Sequence, residues 1–519
     1  MPYFTEPRNI ELSTLEYLST QIDANWSGVT VVKTFAQAYS KNINLPIVCV
    51  RLLDQSSSRL EIGSNTLDNR YGIAIDIFAR SDGQRIDLAN FILDKLKDGW
   101  VYYIFCYDEK TEILTDQGWK YFKDLDKTEK VATLNLNTYK LEYQKPLNYF
   151  VFDYEGDMFE VKSNFVDLLV TLNHKMVISF RKRKGKKFEF VAAKKILNRA
   201  VHYLKSCKWE GKEVSFFYLP GIEYYISQYD LNKRKVIKKK KIIKPKKINM
   251  NDWLKFLGWY LSEGFYYENQ KLCYVEIAQS EKANSENYNK IIKLLDKLGW
   301  HYLKVKKTNG YSESIRISNK QLAHYLKQFG KSKDKFIPKE FKNLSKNQLL
   351  ILLKTLISGD GCKLGGYLNS FSYLTTSKRL AGDVQEIALK CGYSADIYKR
   401  EYQRKNFRKT VIYQVSIKSK RGKEPIVNRK KQQHKLVKYK GKVYSVEVPN
   451  HVVLVRRNGK AVFSGNSHKS GDKSQLEKTA NGRIEVTDFM ENYRIDFAEL
   501  EVDEKDRFRH FISVRVRKS

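Results

Sequence analysis

Several features that would narrow the class of protein are missing from this 519-residue chain. Its six cysteines form no CxxC pair and no zinc-ligand spacing, which argues against a disulfide framework and against a structural zinc site. The chain also lacks an N-terminal signal pattern and any apolar run of about 18 residues that could span a membrane. We therefore predict a soluble protein of the reducing cytoplasm.

Positive charge is scarce at the two ends of the chain and abundant in the middle. Residues 1–105 and 467–519 together hold 21 Lys and Arg against 23 Asp and Glu, whereas the whole chain has a net charge of +37. This contrast indicates two origins within one chain and assigns any polyanion-binding surface to 106–466. The alternative is a merely solvated basic face. The length predicts roughly three domains of about 150 residues each.

The two flanks show an α/β pattern. A helix is predicted over 12–23, a buried strand over 45–53, an alternating strand over 71–78 and helical spacing over 85–96. The apolar run 101–105 ends abruptly at Cys106, and two strand-rich stretches follow Ser467 at 483–500 and 508–516. Joining Phe105 to Ser467 would give a single α/β domain of 158 residues. We find no catalytic constellation in it.

Reactive residues stand at both ends of the basic segment. Cys106 begins it, and Gly465-Asn466-Ser467 closes it, 360 positions later. A thiol is a strong nucleophile, a serine hydroxyl can accept an acyl group, and an asparagine side chain can attack its own backbone carbonyl. Between them lies Thr171-Leu-Asn-His174, whose histidine can act as an acid or base near neutral pH. A lone cysteine would ordinarily be a small buried hydrophobe.

Taken together, these motifs resemble the splice junctions of an intein, a segment that excises itself and joins its flanks. The resemblance implies that Cys106 attacks the Phe105 carbonyl, that Thr171 and His174 activate this peptide bond, and that Ser467 receives the acyl group. Asn466 would then cyclise and release 106–466, with His451 of the block 443–451 as its helper. No cofactor is implied for splicing.

Two positions depart from the intein pattern. Gly465 stands where most inteins have a histidine, and Ser445 stands where many have an aspartate. Loss of a general acid or base can cost about 10²–10⁴ in rate. The alternative function is therefore a degenerate intein that splices poorly, with the flanking host protein as the functional product.

An internal repeat occupies the centre of the segment. Phe256-Leu-Gly-Trp-Tyr-Leu-Ser-Glu263-Gly264 aligns with Leu353-Lys-Thr-Leu-Ile-Ser-Gly-Asp360-Gly361, and an amphipathic helix ending in glycine follows each copy. Each copy thus predicts a helix that closes on one carboxylate. The alternative is a structural pair of buried helices that pack together, in which the acidic residues only cap the helix ends.

This repeat resembles the LAGLIDADG homing endonucleases that nest within inteins. The resemblance implies that Glu263 and Asp360 meet and bind Mg²⁺, with Lys335 near the scissile phosphate; a surface lysine is the alternative for Lys335. It also implies double-stranded DNA, the intein-less allele of the host gene, as the partner. The predicted DNA-contacting residues are Lys304, Lys306, Lys307, Arg316, Lys399, Arg400, Arg404 and Arg408.

We therefore predict a multidomain fold class: a β-rich Hedgehog/intein-type splicing domain, an α/β two-repeat endonuclease domain and a split α/β host domain. The host faintly resembles small phage tail-completion or neck proteins, which would place its spliced product in a virion, where it could be oligomeric. A small subunit of DNA metabolism is the alternative. The predicted boundaries are host 1–105 and 467–519, splicing 106–215 and 436–466, basic linkers 216–250 and 411–435, and endonuclease 251–410.

Overall fold

A computed structural model describes most of the chain. The described residues are 6–33, 44–59, 67–96, 100–101, 106–180, 187–230, 235–268, 272–306, 313–363, 370–403, 410–419, 422–429, 432–466, 494–502 and 509–517. Ser467, Lys307, Arg404 and Arg408 lie outside them. No helix among these residues is long and apolar enough to cross a membrane.

Strands from both ends of the chain form one six-stranded sheet, in the order β1-β2-β3-β32-β31-β4. Two helices accompany it, and Leu15, Leu18, Leu88 and Ile92 from them join the same core as the sheet. The elements are α1 (Glu6–Asn25), β1 (Thr30–Val32), β2 (Ile47–Arg59), β3 (Leu67–Phe78), α2 (Asp82–Leu96), β4 (Trp100–Val101), β31 (Arg494–Val502) and β32 (Arg509–Arg517). The segments on either side of 106–466 thus complete one another; we call this unit the flanking domain.

A β-rich domain follows, built from two distant segments of the chain. Its centre is a closed barrel, β10-β11-β5-β28, in which β10 and β28 pair from Asn148↔Glu447 to Val161↔His434. Its strands are β5 (Tyr107–Asp108), β6 (Glu112–Thr115), β7 (Gly118–Tyr121), β8 (Val131–Asn135), β9 (Lys140–Gln144), β10 (Asn148–Lys162), β11 (Asp167–Thr171), β12 (Lys175–Ser179), β13 (Glu189–Ala192), β14 (Val201–Tyr203), β27 (Ile426–Val427), β28 (His434–Glu447), β29 (Val452–Arg457) and β30 (Lys460–Gly465). The long β10–β28 pairing brings the beginning and the end of 106–466 together.

Two similar halves form the third unit, the two-repeat domain. The first half contains α3 (Met250–Glu263), β19 (Gly264–Glu268), β20 (Cys273–Ala278), α4 (Ser285–Leu298), β21 (Tyr302–Lys306), β22 (Glu313–Ile317) and α5 (Lys320–Leu326). The second contains α6 (Lys339–Lys342), α7 (Lys346–Asp360), β23 (Gly361–Lys363), β24 (Ser370–Thr375), α8 (Lys378–Lys390), β25 (Ser394–Tyr402) and β26 (Thr410–Lys418). The strand orders correspond, β19-β20-β22-β21 and β23-β24-β26-β25, and the helices of both halves share one apolar core.

The β-rich and two-repeat domains are joined through one continuous sheet. Strand β25 pairs with β30 at Asp396↔Lys460. Beside this pair, the fully buried Lys205 donates to Asp396, and Arg456 of β29 donates to Gln385 of α8 at 3.0 Å. The second half of the repeat is therefore fixed to the strand that ends at Gly465.

The stretch 216–250, predicted as a linker, contains two antiparallel ribbons. Strand β15 (Phe216–Leu219) pairs with β18 (Lys246–Asn249), and β16 (Ile222–Asp230) pairs with β17 (Lys235–Ile243). The stretch predicted as the second linker, 411–435, holds most of β26 and all of β27. Lysine-rich sequence obscured these strands, because alternation with apolar residues is weak where lysines face solvent on both sides.

Candidate functional sites

Cys106 lies at the start of the barrel and is fully buried. Its backbone amide donates to Oγ1 of Thr171 at 3.0 Å, and its carbonyl accepts from the Thr171 amide at 3.1 Å. Burial raises the pKa of the Cys106 thiol well above its ordinary value, so the sulfur is protonated at neutral pH. The threonine predicted to serve this junction is therefore in direct contact with it.

His174 is held one turn beyond Thr171 and is also fully buried. Its backbone amide donates to the Thr171 carbonyl at 3.0 Å, and its Nε2 lies 3.0 Å from Oγ of Ser464. Ser464 is two residues before Asn466. The imidazole thus reaches from the Cys106 side of the site to the Asn466 side.

Tyr107 makes a second connection between the two ends. Its hydroxyl donates to the backbone carbonyl of Gly465, and its ring meets that of His174 edge-on at 4.5 Å between centroids. Burial raises the pKa of Tyr107, so the phenol keeps the proton that this hydrogen bond needs. Sequence reasoning missed Tyr107 and Ser464; the adjacency of Tyr107 to Cys106 was the one signal available for it.

Asn466 is buried at the end of β30, with 1% of its surface exposed. Its backbone amide donates to the carbonyl of His451 at 3.1 Å, and its Nδ2 makes a long contact of 3.4 Å to the Val448 carbonyl. Its Oδ1 is buried and has no hydrogen-bond partner among the described residues. His451 is therefore placed beside Asn466, and the contact between them runs through the His451 backbone, which adopts a left-handed φ of 57°.

Gly465 occupies a position with no room for a side chain. A Cβ placed there would lie 2.3 Å from the carbonyl oxygen of Lys175 and 2.9 Å from its Cβ. The space that a histidine would need in the intein pattern is filled by the backbone of β12. The glycine is thus required by the packing of β12 against β30.

Glu263 and Asp360 each form the last residue of a helix, α3 and α7. The helix ends touch: Oγ of Ser262 donates to the Leu356 carbonyl at 3.3 Å, and a Cβ on Gly359 would lie 2.5 Å from Cβ of Ser262. Burial raises the pKa of Glu263. Burial and the charge of Glu263 raise the pKa of Asp360 to about 7. Close, partly desolvated carboxylates of this kind repel one another, and a hard divalent cation relieves that repulsion.

Lys335 is buried behind the end of α3. Its Nζ donates to three backbone carbonyls, those of Tyr260 at 2.9 Å, Leu261 at 3.0 Å and Gly264 at 2.7 Å. Burial lowers its pKa to about 8, and the charges of Asp360 and Glu263 oppose that shift. Lys335 therefore caps the helix that presents Glu263, and its three N–H donors are occupied there.

The two carboxylates would have to share a metal with other ligands. Among the described residues, no group of three or more His, Cys, Asp or Glu could hold an ion. Mg²⁺ is commonly held by one or two carboxylates, with water and substrate phosphates completing the shell. Glu263 and Asp360 fit that arrangement.

The predicted DNA-contacting residues divide between the two faces of the sheets. Lys304 is paired with Ile315 of the core and its Nζ lies 5.2 Å from the Tyr288 ring centroid of α4, so it lies on the helix side. Arg316 lies on the opposite face, 4.2 Å over the ring of Tyr274. The register places Lys306 on the same face as Lys304. Lys399 is paired with Tyr413 and also lies on the helix side, whereas Arg400 lies on the opposite face.

Comparison with known families identifies part of the chain. Residues 347–434 match the family model described as a LAGLIDADG-like domain. They include α7 with Asp360 and the strands β23 to β26. The chain therefore contains a LAGLIDADG-like domain.

Curated relatives carry the names of three different enzymes. A DNA-directed RNA polymerase subunit beta C-terminal section of Stigeoclonium helveticum is 28% identical over 72% of this chain and 37% of its own length. An ATP-dependent Clp protease proteolytic subunit of Chlamydomonas moewusii is 28% identical over 56% and 28%. A ribonucleoside-diphosphate reductase subunit beta of Aquifex aeolicus (strain VF5) is 21% identical over 93% and 66%. The chain spans less than two thirds of each relative.

Solved structures with local similarity include variants of the homing endonuclease I-DmoI, at 17% identity, 34% of this chain, 85% of that chain and a TM-score of 0.26. I-DmoI in complex with DNA and Ca gives the same values. The AceL NrdHF class 3 split intein matches at 12% identity, 41% of this chain, 99% of that chain and a TM-score of 0.16.

Proposed function

We propose that residues 106–466 excise themselves by protein splicing and join Phe105 to Ser467. The observation that carries this proposal is one buried site that contains Cys106, Thr171, His174 and Asn466, although its two ends are 360 residues apart. The relatives support it, because three enzymes of unrelated name would share sequence with this chain if the shared part were an insert.

In the proposed reaction, the Cys106 sulfur attacks the Phe105 carbonyl, and the peptide bond becomes a thioester as the amine of Cys106 is released. The Ser467 hydroxyl then takes the acyl group and frees the thiol. Nδ2 of Asn466 attacks its own backbone carbonyl, closes a succinimide and expels the Ser467 amine. That amine finally displaces the ester oxygen and leaves an ordinary peptide bond.

The chain's own groups have distinct roles in this proposal. Thr171 fixes the backbone of Cys106, and His174 moves protons to or from the departing groups at either end. Tyr107 orients the Gly465 carbonyl next to Asn466, a task that falls to it because no side chain fits at position 465. His451 positions the Asn466 amide through its carbonyl.

The alternative, a degenerate insert that no longer splices, rests on the absence of histidine at position 465. The close approach of β12 to Gly465 weakens that alternative, since the site is packed around glycine. Burial of the Cys106 thiol also supports splicing, because it shields the proposed nucleophile from solvent before the reaction.

We propose a second activity for the two-repeat domain, the cleavage of double-stranded DNA at a specific site. Glu263 and Asp360 would hold Mg²⁺, which supplies activation of water and stabilisation of the leaving oxygen. Lys335 keeps the end of α3 in place and offsets part of the carboxylate charge. Arg316 and Arg400 are the proposed DNA contacts that lie on the sheet faces turned away from the helices.

Intact mass spectrometry tests the splicing proposal. Expression of the chain should give a 158-residue ligated product and a free segment of 361 residues. The double variant Cys106→Ala, Asn466→Ala should give neither, whereas Cys362→Ala, which removes an exposed cysteine, should behave as the parent. A stable 519-residue parent chain, or unjoined flanks, would contradict splicing.

A further inference from the structure

We propose that the hairpin β16–β17 is an additional contact for duplex DNA, outside the two sheets of the repeat. This inference rests on the proposed endonuclease function and extends its binding surface. We call the hairpin, Ile222–Asp230 with Lys235–Ile243, the lysine ribbon. The hairpin lies outside residues 347–434, which match the LAGLIDADG-like family model.

The lysine ribbon carries a dense and exposed positive charge. Its second strand contains four consecutive lysines, 238–241, and Lys239, Lys240 and Lys241 are exposed. The register pairs Lys241 with Tyr224 and Lys240 with Tyr225, so lysine and tyrosine occur together on both faces. The ribbon also contains two acids, Glu223 and Asp230. Glu223 pairs with Lys240 at 2.7 Å, and the side chains of this pair stay about half exposed. Such a surface is complementary to a phosphate backbone.

The base of the ribbon is fixed to the first half of the repeat. Nε2 of Gln321, at the start of α5, donates to the carbonyls on both sides of the hairpin base: Leu219 at 3.3 Å, Pro220 at 2.9 Å and Lys244 at 3.1 Å. Nζ of Lys320 lies 4.6 Å from the Tyr224 ring centroid. The ribbon is therefore held by the two-repeat domain at a defined place.

That place is next to the outer end of the first sheet. Helix α5 packs on β19 and β20, and Lys327 just after it pairs at 2.8 Å with Glu268, the last residue of β19. Strand β19 begins directly after Glu263, so Glu268 marks the end remote from the carboxylates. DNA that lies along the sheet from the carboxylates outwards would reach the ribbon.

The dimensions suit a groove of DNA. Strands of nine residues span about 30 Å, roughly the length of nine base pairs. The major groove of a duplex admits a two-stranded β-ribbon. The competing explanation is that the lysines only keep an isolated hairpin soluble and unpaired at its edges.

The test uses the full chain with Cys106→Ala and Asn466→Ala, so that all samples have one length. In this background, Lys239, Lys240 and Lys241 are all changed to Gln. The matched control changes Lys435, Lys438 and Lys440 to Gln, which removes the same charge from exposed positions of the barrel strand β28. The probe is the host coding duplex joined across codons 105 and 467, with a scrambled duplex and the corresponding RNA duplex beside it.

We expect the ribbon variant to bind both DNA duplexes more weakly. The negative slope of log affinity against log salt concentration should become shallower by about 2–3. The control should keep the parental slope, and a Lys→Arg triple variant of the ribbon should keep it too. Equal slopes in the ribbon variant and the control, or tighter binding to RNA than to DNA, would overturn the inference. No duplex binding by the parent would overturn the endonuclease proposal together with it.

Discussion

At the proposed junction site, Cys106, His174 and Asn466 are buried among neutral hydrogen-bonding groups, whereas Glu263 and Asp360 present paired carboxylates beside a single buried lysine. The first arrangement encloses both ends of 106–466, so the proposed intramolecular reaction would need no opening for a substrate. The second is only partly buried, which leaves both acids accessible to the proposed cation and duplex. Complete burial is compatible with the proposed intramolecular reaction, whereas partly exposed carboxylates suit the proposed binding of a cation and a polyanion.

We expect that a substitution at one site abolishes its own activity and leaves the activity of the other site unchanged. Asp360→Asn removes one of two proposed metal ligands, so we expect no detectable duplex cleavage and unchanged splicing. Cleavage of the joined host sequence and intact mass report the two activities from the same sample. Asp87→Asn, on an exposed position of α2, is the control and should change neither. Loss of splicing in Asp360→Asn would mean that the sites are coupled.

A histidine at position 465 should make splicing worse rather than better. Gly465→His and Gly465→Ala both force a Cβ against the Lys175 carbonyl, and overpacking of this kind costs about 1–3 kcal/mol. We expect release of the C-terminal flank to slow by about one to two orders of magnitude, measured by time-resolved gel analysis. Gly83→Ala, where a Cβ meets nothing within 4 Å, is the control. Faster splicing in Gly465→His would show that the missing histidine, and not the packing, limits the reaction.

Loss of the Tyr107 hydroxyl should slow Asn466 cyclisation more than the first acyl shift. Tyr107→Phe leaves the buried Gly465 carbonyl without its donor, a cost of about 1–3 kcal/mol. We expect a decrease of about tenfold in C-terminal release and accumulation of the branched intermediate. Tyr154→Phe removes a comparable hydroxyl-to-carbonyl bond in the same domain and serves as the control. An equal decrease in both variants would assign the effect to general destabilisation.

In metal-free solution, the stability of the carboxylate site should depend on pH because of Asp360, whereas that of the junction site should not change with Asp360→Asn. The pKa of Asp360 is raised from 3.8 to about 7, so the folded state binds this proton more tightly than the unfolded state does. The stabilisation that this proton provides is therefore full below pH 3.8, and it is lost as the pH rises through about 7. Asp360→Asn should therefore stabilise α3 and α7 at pH 8 by about 1–4 kcal/mol. Amide hydrogen exchange of these helices measures the gain, and residues 107–115 of the β-rich domain provide the internal control. Equal protection in parent and variant at pH 8 would contradict the raised pKa.

The sequence predicted elements whose signals are local. The strand expected at 71–78 lies within β3, the helical spacing of 85–96 within α2, and both acidic-Gly motifs end helices as expected. It failed at 216–250, where lysines facing solvent concealed two ribbons. The register turns Lys304 and Lys399 towards the helices, which the sequence did not indicate, and their contact with DNA stays a prediction.

The sequence by itself determined which residues could react, since nucleophiles, a cyclisable asparagine and a repeated carboxylate are identifiable from residue type and order. Only the tertiary structure decided how they meet: the contact of His174 with Ser464, that of Tyr107 with Gly465, and the backbone of Lys175 in the place of a histidine. The physical reason is range. Helix ends and alternation arise from neighbours a few residues apart, whereas these contacts depend on the pairing of β10 with β28 across nearly 300 residues.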